Sequence, residues 1–249
     1  TIASTSQMLD ARTRRWSPAV LDKLGLKERL LGELVEPGTV CGSVEGTRVK
    51  AIATAGHDTG AAVLSVPAAP ADGAWAWLSS GTWSIIGIET SEPIITDMGR
   101  AKNFANEGGA GGTIRYLKNI AGMWLAQECQ RLWRAQGQDY SFAELARMAG
   151  ETPAGGPVID VNDARFYAPD NMIDEIRVAC RAADQPVPEG VGAIYRCILD
   201  SLARKYVEVL DELRAITGQR FTRLHVVGGG SQNTVLNQLA ADACGIPII

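Results

Sequence analysis

Leu224–Asn233 reads LHVVGGGSQN. A short apolar strand runs into three glycines, and a helix with a polar first turn follows. Glycine lets a backbone approach another group closely, and the exposed amides of a helix start favour anions or polar ligand groups. The spacing is not the dinucleotide GxGxxG, and no GK[ST] follows to make a phosphate loop of the Walker kind. Two readings stay open for these residues taken alone: a tight turn with no ligand, or a turn built against one.

Outward from this turn the chain has two textures. On the C-terminal side, Asn233–Cys244 reads as a helix and IPII begins a further strand. On the N-terminal side, Gly190–Thr217 is a long helix with a stripe of Ile194, Ile198, Leu202, Tyr206, Val209 and Leu213, stopped by Gly218. Helices are also expected at Asn171–Ala183, at 141–149 with Ser141 as cap, and from Gly122 onward through Met123, Trp124, Leu125, Cys129 and Leu132. The stretch GGPVIDVNDARFYAP between them reads as a loop with one strand-like core.

Earlier residues read as strands and turns. VKAIATAG (49–56) is a short strand, Asp58–Leu64 a helix, and AWAWL (74–78) and WSIIGIE (83–89) a hairpin around SSGT. FANEGGAGGTIRYLKN gives a second hairpin, with its turn at Gly108–Gly112. SPAVLDKLGL starts a helix with Ser17 as cap and Pro18 first, placing Val20, Leu21 and Leu24 on one face, and Gly25 stops it. A short helix is expected near Lys27–Leu31. Residues 4–15 look irregular, and VEPGTVCGSVEG is a turn-rich connector, which puts a boundary near 38–50. The order points to a layered α/β fold, with residues 1–48 as the tail of one domain and 49–249 as a second.

Bulk composition narrows the function classes. The 249 residues carry 24 Lys plus Arg and 28 Asp plus Glu, a net charge of -4, with 46% apolar residues. That is ordinary globular composition and offers no broadly basic surface for nucleic acid. No apolar run approaches the roughly eighteen residues of a membrane span, and the first residues lack the pattern of a signal peptide. A cytoplasmic location and no membrane partner are expected. Five Cys, at 41, 129, 180, 197 and 244, form no CxxC pair, so no thiolate zinc site is expected. His57 and His225 alone make a His-rich metal centre a poor reading. The 27 glycines are bunched, which suggests backbone shaped to approach something.

Three further clusters can carry chemistry. Ser79–Ser80–Gly81–Thr82 is either an ordinary hairpin turn or a cradle of amides and hydroxyls for phosphate oxygens. Gly56–His57–Asp58–Thr59 puts an Asp at a helix start, where the dipole favours a carboxylate. Asp58 is then a plain cap or a base that accepts a hydroxyl proton during phosphoryl transfer, and His57 a substrate ligand or a core histidine. Asn106–Glu107–Gly108–Gly109 is a further candidate that also reads as only a turn, and Asn119 and Gln127, eight residues apart on the same side of a helix start, carry amides that suit hydroxyls or a base edge, or merely cap or face solvent.

Taken together and in order, AGHDTGAAV, WLSSGTWS, NFANEGGAGGTIRYLKNIAGMWLAQ and LHVVGGGSQNTVLNQLAADACGIPI resemble the FGGY family of carbohydrate kinases. The resemblance covers the whole chain, including NDARFYAP and CRAADQPVPE. It implies an actin-like ATPase fold (ribonuclease H-like), mainly its second domain, and transfer of a phosphoryl group from ATP, with Mg2+, to a small sugar. L-Rhamnulose, at its 1-hydroxyl, is the implied acceptor. Asp58 matches the catalytic base, and His57, Thr59 and Asn119 match sugar-contacting positions. Gly81 and Thr82 match phosphate contacts, Gln127 and Gly229 match ATP-binding positions, and Gly230 and Asn233 lie on the same nucleotide loop. The family can also carry a disulfide matching Cys180 and Cys197. The alternatives are another ketose or polyol kinase of the family, for example for L-fuculose or xylulose, and a nucleotide-binding actin-like module without catalysis. The family's opening DxGxxxxR phosphate loop and its closing GNxGxA-like segment have no counterpart here, so a piece of a longer enzyme with little activity of its own is expected.

Overall fold

The computed structural model describes residues 2–67 and 73–249. In chain order, α1 (Ile2–Thr5) precedes two paired strands, β1 (Leu9–Asp10) and β2 (Arg15–Trp16), followed by α2 (Pro18–Leu24). The segment expected to be irregular is thus partly ordered. Helix α2 has the expected ends, Pro18 in its first turn and Gly25 left-handed at φ 67°. Of its apolar face, Leu21 is buried while Leu24 is exposed. A single 3-10 turn, Glu28–Leu30, stands where a second short helix is expected.

The connector around residues 38–50 contains a hairpin, β3 (Val40–Ser43) with β4 (Lys50–Ile52). Every residue of both strands is exposed, so no alternation of apolar and polar residues marks them. α3 (Asp58–Leu64), β5 (Trp75–Ser80), β6 (Trp83–Thr90), α4 (Asp97–Ala101), β7 (Ala105–Gly108) and β8 (Ile114–Ala121) follow. Then come α5 (Trp124–Ala135), α6 (Phe142–Glu151), α7 (Met172–Ala182), α8 (Gly190–Thr217), β9 (Arg223–Val227) and α9 (Thr234–Cys244).

The main sheet is mixed and five-stranded, in the order β7-β8-β6-β5-β9. β7 and β8 are antiparallel, whereas β9 runs parallel to β5, pairing from Trp75 with Arg223 to Ser79 with Val227. The last residues extend the sheet beside β9, where the Ile249 amide donates to the Leu224 carbonyl and the Val226 amide to the Ile249 carbonyl. The chain divides into two compact units, Thr1–Ala68 with Gly87–Lys118, and Ala69–Ile86 with Asn119–Ile249.

The second unit is organised by α8. Ile194, Ile198, Leu202, Tyr206, Val209 and Leu213 are all within 1% of complete burial, and α6 and α9 pack against this helix. Tyr206 also reaches β6, its hydroxyl 3.2 Å from Ser84 Oγ, so the one polar atom of that stripe is satisfied. Caps set the flanking helices. Ser141 Oγ accepts the Glu144 amide while Glu144 Oε2 accepts the Ser141 amide, and Asn171 accepts from Ile173 and Asp174. The strand-like core expected in GGPVIDVNDARFYAP is not a strand. Ile159 and Val161 are buried, but side chains replace a ladder: the Ile159 amide donates to Ser201 Oγ, and Gln185 bonds both the amide and carbonyl of Val158. Cys180 and Cys197, the pair matched to a disulfide, are both buried free thiols in the structure, and burial pushes both up from the ordinary thiol value. Among the described residues no helix is long and apolar enough to cross a membrane.

Leu202→Ala is expected to cost roughly 2–5 kcal/mol through the cavity it leaves, and Ser141→Ala about 1 kcal/mol through the lost cap. Denaturant unfolding of the two variants measures the difference.

Candidate active site

In the first unit, His57 occupies the cap position of α3 without a side-chain capping bond. Asp58 is the first helical residue. Its Oδ1 accepts the Thr59 amide at 2.6 Å and lies 3.4 Å from His57 Nε2. The Asp58 side chain is 96% exposed, against 23% for His57, although its Oδ1 is engaged by the first turn of its own helix. Thr59 and Gly60 behind it are buried. His57, Asp58 and Thr59 are therefore contiguous, with one exposed acid.

Asn106 and Glu107 lie in β7, not in the turn. Both polar atoms of Asn106 are engaged by the Ile94 backbone, at 2.9 and 2.8 Å. Glu107 is directly opposite Arg115 of β8, and Oε2 meets Nη2 at 2.9 Å with both side chains buried. Asn106 thus ties β7 to the segment at Ile94, and Glu107 pairs across the hairpin.

In the second unit, Ser79 and Ser80 end β5 and the turn proper is Gly81–Thr82. The start of α5 is tied to this turn, the Met123 amide donating to the Gly81 carbonyl at 2.9 Å and the Trp124 amide to that of Thr82 at 3.1 Å. Gly122 makes the approach possible, because a methyl there would lie 2.5 Å from the Trp83 carbonyl carbon.

The three glycines after β9 serve different purposes. A methyl on Gly228, which has φ 88°, would come within 2.7 Å of the Ser80 carbonyl oxygen, and one on Gly230 would collide with Ser80 Oγ. Gly229 faces open space. Two glycines are thus required by packing against β5, and the middle one leaves its backbone accessible. Gly229 and Gly230 begin a 3-10 turn, Gly229–Gln232, that leads into α9, whose first turn is capped by Asn233 Oδ1 accepting the Leu236 amide at 3.0 Å.

These turns border one cavity of about 710 Å³, within the range of small-molecule sites. Gly81, Thr82, Gln127, Gly229, Gly230 and Asn233 all line it, so every residue matched to nucleotide binding is brought together within one unit. The far wall carried no signal in the sequence. It is formed by Phe142, Ala146 and Arg147 of α6 and Tyr195 of α8, which reach the cavity only through the packing of α6 on α8. The Tyr195 hydroxyl is buried without a partner among the described residues, and burial pushes it up to about 12. It is a neutral donor that a polar ligand would satisfy.

Asn119 and Gln127 do not share a helix face. β8 continues to Ala121, with Ile120 and Ala121 both buried, so Asn119 is an exposed strand residue. Gln127 is in the first turn of α5, with its amide donating to the Met123 carbonyl. Asn119 belongs to the second unit and His57, Asp58 and Thr59 to the first. Among the described residues no group of three His, Cys, Asp or Glu is arranged to hold a metal ion.

Residues 76–249 match the C-terminal domain of the FGGY family of carbohydrate kinases. The chain belongs to that family. Among curated relatives, the rhamnulokinases of Enterococcus faecalis and Bacteroides thetaiotaomicron are each 46% identical over the whole of this chain, which covers 51% and 52% of them respectively. The chain thus spans about half the length of these relatives. A xylulose kinase from Rhodospirillum rubrum is similar in structure, with a TM-score of 0.64 at 15% identity over 94% of this chain and 47% of its own. Plasmodium falciparum glycerol kinase with ADP gives 0.65 at 14% over 97% and 48%. The fold is therefore the actin-like ATPase fold of these sugar kinases.

Gly230→Ala is expected to lower the unfolding temperature by several degrees, since β5 and the loop must separate. Gly229→Ala, with open space for its methyl, is expected to leave it nearly unchanged. Thermal unfolding of the two variants compares them directly.

Proposed function

We propose that the intact protein transfers the γ-phosphoryl group of ATP to the 1-hydroxyl of L-rhamnulose. The observation that carries this reading is the 46% identity to two rhamnulokinases over the full length of the chain. The convergence of all six nucleotide-matched residues on one cavity supports the donor half of the reaction.

In this reading Gly81, Thr82 and Gly229 present backbone and hydroxyl groups to the phosphates, and Gln127, Gly230 and Asn233 border the adenosine. Gly229 fits the role because its backbone faces open space. Mg2+ enters with the nucleotide as part of that substrate and neutralises phosphate charge. His57, Thr59 and Asn119 are the sugar-contacting positions by family resemblance. The 1-hydroxyl gives its proton to Asp58 as it takes the phosphoryl group, a role that suits a carboxylate this exposed. Placement of the hydroxyl in line with the γ-phosphorus supplies most of the rate, and exclusion of water prevents hydrolysis of ATP. Discrimination among ketoses falls to the groups around the sugar.

ADP release by the intact protein, measured across L-rhamnulose, L-fuculose and xylulose, is expected to be highest with L-rhamnulose. Preference for another sugar would overturn the acceptor assignment. Asp58→Asn is expected to bind L-rhamnulose with affinity close to that of the unaltered protein while kcat falls by about 100-fold or more. Retained turnover in that variant would remove Asp58 as the base.

A further inference from the structure

Arg115 is a charge in the buried first half of β8, where Lys118 and Asn119 further along are not buried. Ile114, Tyr116 and Leu117 beside it are buried, and its own side chain is 1% exposed. Glu107 holds one end of the guanidinium through Nη2, and Nε donates toward the Gly108 carbonyl at 3.4 Å. Nη1 has no hydrogen-bond partner among the described residues. A buried guanidinium with an unmade hydrogen bond is costly, and an apolar pair would pack here at least as well. Hairpin stability alone does not account for it.

The group it underlies does. A methyl on Gly60 would lie 3.3 Å from Arg115 Cζ, 3.4 Å from Nη1 and 3.5 Å from Nη2. Three nearly equal distances place position 60 over the flat face of the guanidinium. Gly60 is two residues beyond Asp58 in the first turn of α3. That turn therefore rests directly on the guanidinium plane, and a methyl at position 60 would crowd it by a few tenths of an ångström.

We propose that Arg115 is a positioning residue for Asp58: clamped by Glu107, its guanidinium is the floor on which the first turn of α3 is seated, and it sets where the exposed carboxylate stands. The proposal rests on the reading of Asp58 as base. The charges around the guanidinium agree with this placement. Burial works against its ionisation, while the carboxylates of Glu107, Glu89 and Asp58, in that order, support it.

The test uses the intact protein with three variants: Glu107→Gln/Arg115→Met, which removes the ion pair without leaving a buried unpaired charge, Arg115→Lys, and Gly60→Ala. Thermal unfolding is followed with kcat and both KM values. The double variant is expected to stay folded, keep KM for ATP, and lose roughly 10–100-fold in kcat, the cost of a small misplacement of a reacting group. Arg115→Lys, which keeps a cation against Glu107, is expected to recover part of that loss. Gly60→Ala, whose methyl would crowd the guanidinium at 3.3 Å, is expected to reproduce at least part of the kcat loss with Arg115 intact. Should the double variant fail to fold, Gly60→Ala and Arg115→Lys decide by the same measure. A folded double variant or Gly60→Ala protein with unaltered kcat, or a loss confined to KM for ATP, would overturn the proposal. If the unaltered protein uses another sugar, only the acceptor assignment fails, and the variants are read on that sugar.

Discussion

The second unit depends on the parallel pairing of β5 with β9. Parallel strands both end at the same edge of a sheet, and loops at that edge are where α/β folds place ligands. The last pair in register is Ser79 with Val227, so Gly81–Thr82 and Gly228–Gly230 leave the sheet side by side. The second segment could not be there with side chains at positions 228 and 230. Ser80 occupies the space that Cβ atoms on Gly228 and Gly230 would need, and the Gly81–Thr82 turn presses on Gly122 at the start of α5. The cavity is a consequence of these approaches, since its floor consists of backbone that packing has drawn together.

A floor of that kind requires a rigid support, which α8 provides. Its buried stripe holds α6 and α9 on one side, and Tyr206 ties it to β6 through Ser84, directly after the Gly81–Thr82 turn. The far wall of the cavity comes from α6, whose placement rests on this packing. Core burial in α8 and the shape of the candidate nucleotide site are thus one matter, and a loss of volume in the stripe would be felt at the wall.

What could be read from the residues follows from how strongly each element is patterned. The six-residue stripe of α8, the Asp58 start of α3 and both long hairpins were legible, because period and turn glycines agree there. The β3–β4 hairpin was not, because all of its residues are exposed and alternation has nothing to report. The shared helix face for Asn119 and Gln127 failed at Gly122. Two buried residues, Ile120 and Ala121, keep the chain in β8 up to that glycine. In LHVVGGGSQN the tight-turn reading accounts for Gly228 and Gly230, which serve the packing, whereas Gly229 faces open space. The α6 wall had no local signal, since Phe142, Ala146 and Arg147 gain their position only from α8.

Glu107 and Arg115 show a different limit. Once the turn at Gly108–Gly112 is recognised, antiparallel register places these two residues opposite one another, so the ion pair was open to inference from the hairpin alone. Its burial was not. That depends on α3 lying over β8, and the only trace in the chain is a glycine at 60 within an Ala-rich helix, where alanine would serve propensity better. The two units therefore solve their placement problems by different means. In the second, uncharged backbone is brought to a cavity by removing side chains. In the first, an exposed carboxylate begins a helix turn that lies against a buried cation, with Gly60 keeping that contact uncrowded.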